Sequence, residues 1–260
     1  MTRRTIAFEC EGSMLAATLD HAEGAGGLLL VSGGNEVRSG AWAGQAQLAA
    51  RLAAAGYPVL RFDRRGVGDS GGENRGFRSA KADIAAALGA FREACPRLAR
   101  VTAFGNCDAA SALMLFGAEL KVDGLVLANP WVLDDAGDDA QAPTAIRHRY
   151  LKKLADPSEW GRLLSGGVNL RKLVAGLRRA VSPPPASSLV KQMRDGLAAF
   201  NGNVAILLAS RDRTAALFAS AWPIGDERVH SFPSASHSFS GEADREWLFE
   251  RLVEALAKER

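Results

Sequence analysis

The stretch Val101-Thr102-Ala103-Phe104-Gly105-Asn106-Cys107-Asp108-Ala109-Ala110-Ser111 decides how the rest of the chain is read. A β-rich run enters a Gly-x-Cys-x-Ala corner and good helix formers follow, so the spacing predicts a strand, a sharp turn and a helix. Such a corner forces its central residue into a strained backbone and lifts that side chain clear of the sheet. Small residues are needed two positions to either side, where strand and helix pass close. Gly105 and Ala109 meet that need, and Cys107 stands where a nucleophile would. The competing reading is a cysteine that fills the core, a common place for free thiols.

A chain of 260 residues fits one α/β domain with a decorated loop, or two small domains. Its net charge of +3 is too small to argue for nucleic acid without a localised patch. The N-terminal run Met1 to Cys10 has basic residues but no apolar stretch behind them, unlike a secretory signal. No segment approaches the roughly 18 to 20 apolar residues that a membrane span requires. Cys10, Cys95 and Cys107 are an odd set without metal-ligand spacing, so reduced thiols in a cytoplasmic protein, with no metal and no cofactor, are expected.

Thr5–Cys10 and Met14–Leu19 alternate around Glu11-Gly12-Ser13 and read as a β-hairpin. Leu28–Val31, Pro58–Phe62, Gly124–Ala128 and Val204–Leu208 are short apolar runs suited to strands buried on both faces. Arg228–Phe232 adds a further strand. Helical patterns fill Trp42–Ala55, Ser79–Ala94, Ala215–Ala221 and Ala243–Lys258. Strands alternating with helices predict a mostly parallel twisted sheet of about eight strands with helices on both faces. Residues 131–200 look helical and interrupt the alternation. They are expected to form a helical lid inserted into a core made of 1–130 and 201–260.

A thiol nucleophile needs a base, and the base needs an orienting acid. Asp212 follows the strand that ends Leu208-Ala209-Ser210, and His237 follows the strand Arg228–Phe232. Both are loop positions at carboxyl ends of strands, where open α/β sheets build their sites. A helix-capping acid and a surface histidine are the plainer readings, and Asp134 and Asp135 are the fallback acids. His21, His148 and His230 are poorer bases: one closes the hairpin, one lies among arginines, and one lies inside a strand.

Phe62-Asp63-Arg64-Arg65-Gly66-Val67-Gly68-Asp69-Ser70 resembles the D-x-R-G-x-G-x-S stretch of α/β-hydrolases, and the resemblance extends over nearly the whole chain. More narrowly, Gly105–Ser111 and Asn129-Pro130-Trp131-Val132 resemble the type 1 hydrolases associated with exosortase A systems, which accompany exopolysaccharide production. The cysteine corner is also similar to that of dienelactone hydrolases. The resemblance implies an α/β-hydrolase fold and the chain order nucleophile, acid, histidine, hence Cys107, Asp212 and His237. It implies an oxyanion hole from the amide of Asp108 and an amide in Ser32-Gly33-Gly34-Asn35, with Gly34 first and Asn35 next. The chain departs from serine hydrolases at Cys107, and it has Ser32-Gly33 in place of a His-Gly motif.

Gly66-Val67-Gly68-Asp69-Ser70-Gly71 also matches the dinucleotide fingerprint. However, Gly71–Gly76 is too glycine-rich to open the required helix, and Asp83 falls within a helical pattern. Arg147, Arg149, Lys152, Lys153, Arg162, Arg171, Lys172, Arg178, Arg179, Lys191 and Arg194 make the expected lid basic. Solvated helix faces account for this, and an anionic or lipid-linked substrate or a membrane surface is the functional alternative. Trp131, Tyr150 and Trp160 are candidates to line an acyl pocket. The expectation is an ester or thioester hydrolase working through an acyl-enzyme. The alternatives are an acyltransferase on the same residues and a binding partner without turnover.

Overall fold

The computed structural model describes residues 2–133, 188–233 and 235–258. Strands β1 (Thr2–Cys10) and β2 (Ser13–His21) form the hairpin, turning through Glu11 and Gly12, which have φ of 48° and 78°. A two-residue turn with both φ positive matches the twist of the strands it joins. The sheet continues with β3 (Gly26–Val31), β4 (Val59–Phe62), β5 (Arg100–Asn106), β6 (Gly124–Ala128), β7 (Asn203–Ala209) and β8 (Val229–Phe232). Its order is β1-β2-β4-β3-β5-β6-β7-β8. β2 runs antiparallel to β1 and β4, and every other pairing is parallel.

The apolar runs are buried because helices cover both faces. Helices α1 (Gly44–Ala54) and α6 (Glu242–Ala257) pack with Leu28, Leu30, Phe104 and Val126 on one face. Helices α2 (Lys81–Ala94), α3 (Asp108–Leu120), α4 (Ser188–Ala198) and α5 (Arg213–Ala221) cover the other. α1 starts later than the pattern from Trp42 predicts. Trp42 and Ala43 have φ of 48° and 60°, so a tight 3-10 turn over Ala41–Ala43 precedes the helix.

α4 falls inside the span expected of the insertion but belongs to the core layer. Leu189, Val190, Met193 and Leu197 are buried in the cluster shared with α3, and Lys191 on its outer side pairs with Asp195. Gly196 runs so close to α3 that a Cβ there would lie 2.2 Å from the Met114 carbonyl oxygen. Tyr150, Trp160, Asp134, Asp135 and most of the basic run lie outside the described residues.

The Asp63–Ser70 stretch is a knot of hydrogen bonds. Asp63 is fully buried and accepts from the Asp69 amide and from Arg38, while Ser70 Oγ donates to the Asp63 carbonyl at 2.7 Å. Gly68 must be bare, since a Cβ would meet Asp63 Oδ2 at 2.3 Å. Arg65 pairs with Asp83 and Glu11. Cys10 and Cys95 are buried. Burial, followed by the hydrogen bond to Asp83, pushes the Cys10 thiol up to about 11, and burial also raises Cys95.

Candidate active site

The corner after β5 has the backbone its spacing predicts. Cys107 sits at φ 61°, ψ −127°, a conformation costly for a residue with a Cβ. Neighbouring elements hold it there: its N–H donates to the Ala128 carbonyl at 2.9 Å, and its carbonyl accepts from the Ser111 and Trp131 amides. A Cβ on Gly105 would lie 2.8 Å from both Ala109 C and Ala110 N. Gly33 is equally confined, 2.6 Å from the Asn106 carbonyl oxygen by the same measure.

Asp212 and His237 come together above the sheet. Asp212 caps α5, its Oδ2 accepting from the Ala215 amide at 3.0 Å and lying 2.9 Å from His237 Nδ1. Burial pushes the Asp212 carboxyl up. The hydrogen bond and charge of His237 outweigh it, with the amides of Ala215 and Thr214, and hold the group below its usual range. His237 is raised from 6.5 to about 10, first by the hydrogen bond to Asp212 and then by the one to Cys107, against burial. With Nδ1 on Asp212, Nε2 is left for the sulfur. The three residues form one hydrogen-bonded series, able to move a proton from a thiol to an imidazole held by a carboxylate.

Two asparagines that sequence reasoning missed fix the histidine loop. Asn106 Nδ2 donates to the His237 carbonyl at 3.0 Å. Asn129 is fully buried, with φ 43°. Its Nδ2 reaches Asn106 Oδ1 at 3.0 Å and the His237 carbonyl at 3.2 Å, and its Oδ1 accepts from the Ala209 amide at 2.8 Å. One side chain thus ties together the ends of β5, β6 and β7 and the loop that carries the base. The available signal was the break in alternation at Asn129-Pro130, since asparagine tolerates left-handed backbone better than most residues.

Family-model comparison matches residues 28–251 to the alpha/beta hydrolase family. The chain belongs to the alpha/beta hydrolase family. Solved structures across its full length are similar to this hydrolase-family chain. The thioesterase domain from the curacin biosynthetic pathway has a TM-score of 0.60 at 12% identity, covering 97% of this chain and 100% of that one. An esterase of Pyrococcus furiosus has a TM-score of 0.61 at 18% identity, covering 98% and 90%. An alpha-beta serine hydrolase homologue from Coxiella burnetii has a TM-score of 0.60 at 16% identity, covering 99% of both chains. At these identities the likeness shows the fold. Comparison with curated proteins returns no match.

Of the remaining expected site residues of this hydrolase-family chain, Gly34 and Asp108 meet at the corner, whereas the Asn35 and Trp131 side chains are engaged elsewhere. Gly34 is beside the corner, with its N–H donating to Asp108 Oδ1 at 2.6 Å. Asp108 Oδ2 lies 3.7 Å from Arg64 Nη2, which also donates to the Gly34 carbonyl. Among the described residues, Arg64 Nη1 is buried without a hydrogen-bond partner. Asn35 points elsewhere, its Oδ1 accepting from Asn74. Trp131 packs against the core, with Nε1 donating to the Leu133 carbonyl. Among the described residues, no helix is long and apolar enough to cross a membrane.

Proposed function

We propose that this chain hydrolyses a carboxylic ester or thioester through an acyl-enzyme on Cys107. The observation that carries the reading is the Cys107–His237–Asp212 series at the carboxyl edge of the sheet. His237, held protonated at neutral pH by its raised value, carries the proton that Cys107 gives up, and the sulfur attacks the acyl carbon to form a tetrahedral oxyanion. The imidazolium then gives its proton to the departing alcohol or thiol. A water attacks the thioester, returns its proton through His237, and frees the acid and the thiol. Asp212 holds the imidazole and stabilises its charge. The amide of Asp108, at the start of α3, and that of Gly34 are the oxyanion donors. The Gly34 amide serves only when the Asp108 carboxylate leaves it.

The esterase and thioesterase neighbours support this reaction class, and the resemblance carried by the Cys107 corner and Asn129-Pro130-Trp131-Val132 supports a place in exopolysaccharide-linked metabolism. The test compares wild type with Cys107→Ala on nitrophenyl esters and acyl-CoA thioesters. Turnover in wild type and none in the variant, with an acyl adduct on Cys107 by mass spectrometry, is the expected result. Equal turnover in both proteins would refute a cysteine nucleophile, and no turnover in either would refute the reaction class.

A further inference from the structure

Side chains alternate across a strand, so Phe104 and Asn106 of β5 point to the same face, toward α1 and α6. Above Phe104 the two helices leave a cavity of about 320 Å³. Leu48, Phe239 and Leu248 complete its apolar floor. Asn106 and Ser238 also line it, each one residue away from Cys107 and His237 respectively. The volume is at the lower end of ordinary ligand pockets, roughly 300 to 1,000 Å³, and suits a single chain or ring.

One wall is built at a cost. Trp42 and Ala43 are consecutive non-glycine residues in left-handed backbone. Such strain persists where surrounding structure imposes it, and it clusters at ligand clamps. Here it lays the indole across Gly44, where a Cβ would meet the ring at 2.7 Å. The Trp42 Nε1 comes within 3.5 Å of Ser238 Oγ, and the Arg245 guanidinium stacks 5.4 Å from the ring centroid. Trp42 is nevertheless 41% exposed, so a large apolar surface is held at the cavity mouth rather than in the core.

The charges around that mouth are of both signs, and the Arg245 guanidinium is taken up by the Trp42 ring. Glu36 accepts from the Ala41 amide and from Gln45 Nε2, and Arg51 pairs with Glu246 at 2.8 Å. Glu242 lies in the first turn of α6, where free amides meet its charge. An uncharged occupant is therefore favoured. The departing half of a substrate must take its proton from the imidazole, so it lies on the histidine side of the sulfur. Ser238 and Phe239, which line the cavity, directly follow His237, so the cavity lies beside the histidine loop.

We infer that the Trp42 cavity seats an uncharged, apolar alcohol or thiol, the half of the substrate that leaves when Cys107 is acylated. This rests on the hydrolase reading for its chemistry, but occupancy can be measured without turnover. The Cys107→Ala protein is titrated with 1-octanol by calorimetry, and the titration is repeated with Trp42→Ala and Ala41→Phe added singly. Saturable binding weakened about ten-fold or more by each change is expected, since one removes the apolar wall and the other fills the mouth. Equal binding in all three proteins, or none in the parent, would overturn the assignment.

In otherwise wild-type protein, each change lowers kcat/KM for octyl acetate about ten-fold relative to methyl acetate. It leaves the ratio of methyl octanoate to methyl acetate within two-fold. The reverse pattern would make the cavity an acyl pocket and refute the inference. Octanol binding without turnover of any ester would refute the hydrolase reading alone. Thermal unfolding of each variant confirms that it is folded.

Discussion

Replacing Asp108 with alanine should make the enzyme faster, which is unusual for the loss of a charged residue touching a nucleophile corner. The Gly34 N–H donates to Asp108 Oδ1 at 2.6 Å, so one of the two proposed oxyanion donors is already occupied. A hydrogen bond to a charged group contributes about 1.5–3 kcal/mol. The bond itself lies at an exposed position, which places the value near the low end. Moving the carboxylate aside therefore costs about 1.5–2 kcal/mol, or roughly ten- to thirty-fold in rate at about 1.4 kcal/mol per decade. Asp108→Ala keeps the backbone N–H of residue 108, and Arg64 Nη2 still holds the Gly34 carbonyl. The expected result is a kcat about ten- to thirty-fold above wild type on a nitrophenyl ester. Asp108→Asn should fall between them, because its neutral oxygen holds the amide less strongly. An unchanged or lower kcat in a variant of unaltered thermal stability would refute the reasoning, and Asp108 would then shape the hole rather than occupy it.

Asp212→Asn keeps an oxygen to cap α5, so stability should hardly change, while kcat falls by about 10³–10⁴ because the imidazole loses its partner. Titration of His237 by NMR in that variant should fall from about 10 toward 6.5. Folding raises the His237 value, so its contribution to stability is complete below 6.5 and is lost as pH climbs through about 10. The gap in urea midpoint between wild type and His237→Gln should thus shrink over that window, modestly, since the side chain is 43% exposed. A gap that widened with pH would contradict the pairing. Asn129→Ala removes three hydrogen bonds, one buried and two partly so, and puts alanine at positive φ, which should cost about 2–4 kcal/mol in urea unfolding. The surviving folded fraction should lose activity as the His237 loop loosens. Full activity per folded molecule would deny Asn129 a positioning role.

The corner was legible in the sequence because its demands are steric and local: Gly105 and Ala109 are small where strand and helix nearly touch. The buried strands were legible because a sheet covered on both faces leaves no polar side to alternate. Asp212 and His237 could be nominated from their places after consecutive strands, but their contact depends on how those strands are ordered. The asparagine clamp was not legible, since Asn106 and Asn129 acquire their role only when three strand ends meet. Trp42 and Ala43 are ordinary helix residues by type, and nothing in that type signals the left-handed backbone they adopt. Nor does composition reveal that Ser188–Ala198 lies against α3, because an amphipathic helix reads alike in a lid and in a core.

The different settings of the three cysteines give the protein a built-in chemical label. Cys10 and Cys95 are each 5% exposed, with thiols pushed up by burial, whereas Cys107 is half-buried. At neutral pH the native fold therefore presents one thiol to iodoacetamide, and the other two react only after unfolding. One equivalent of carbamidomethyl, mapped to a single peptide, then counts intact sites in any preparation. The rate of its uptake reports on whatever occupies the cleft, with no chromogenic substrate required.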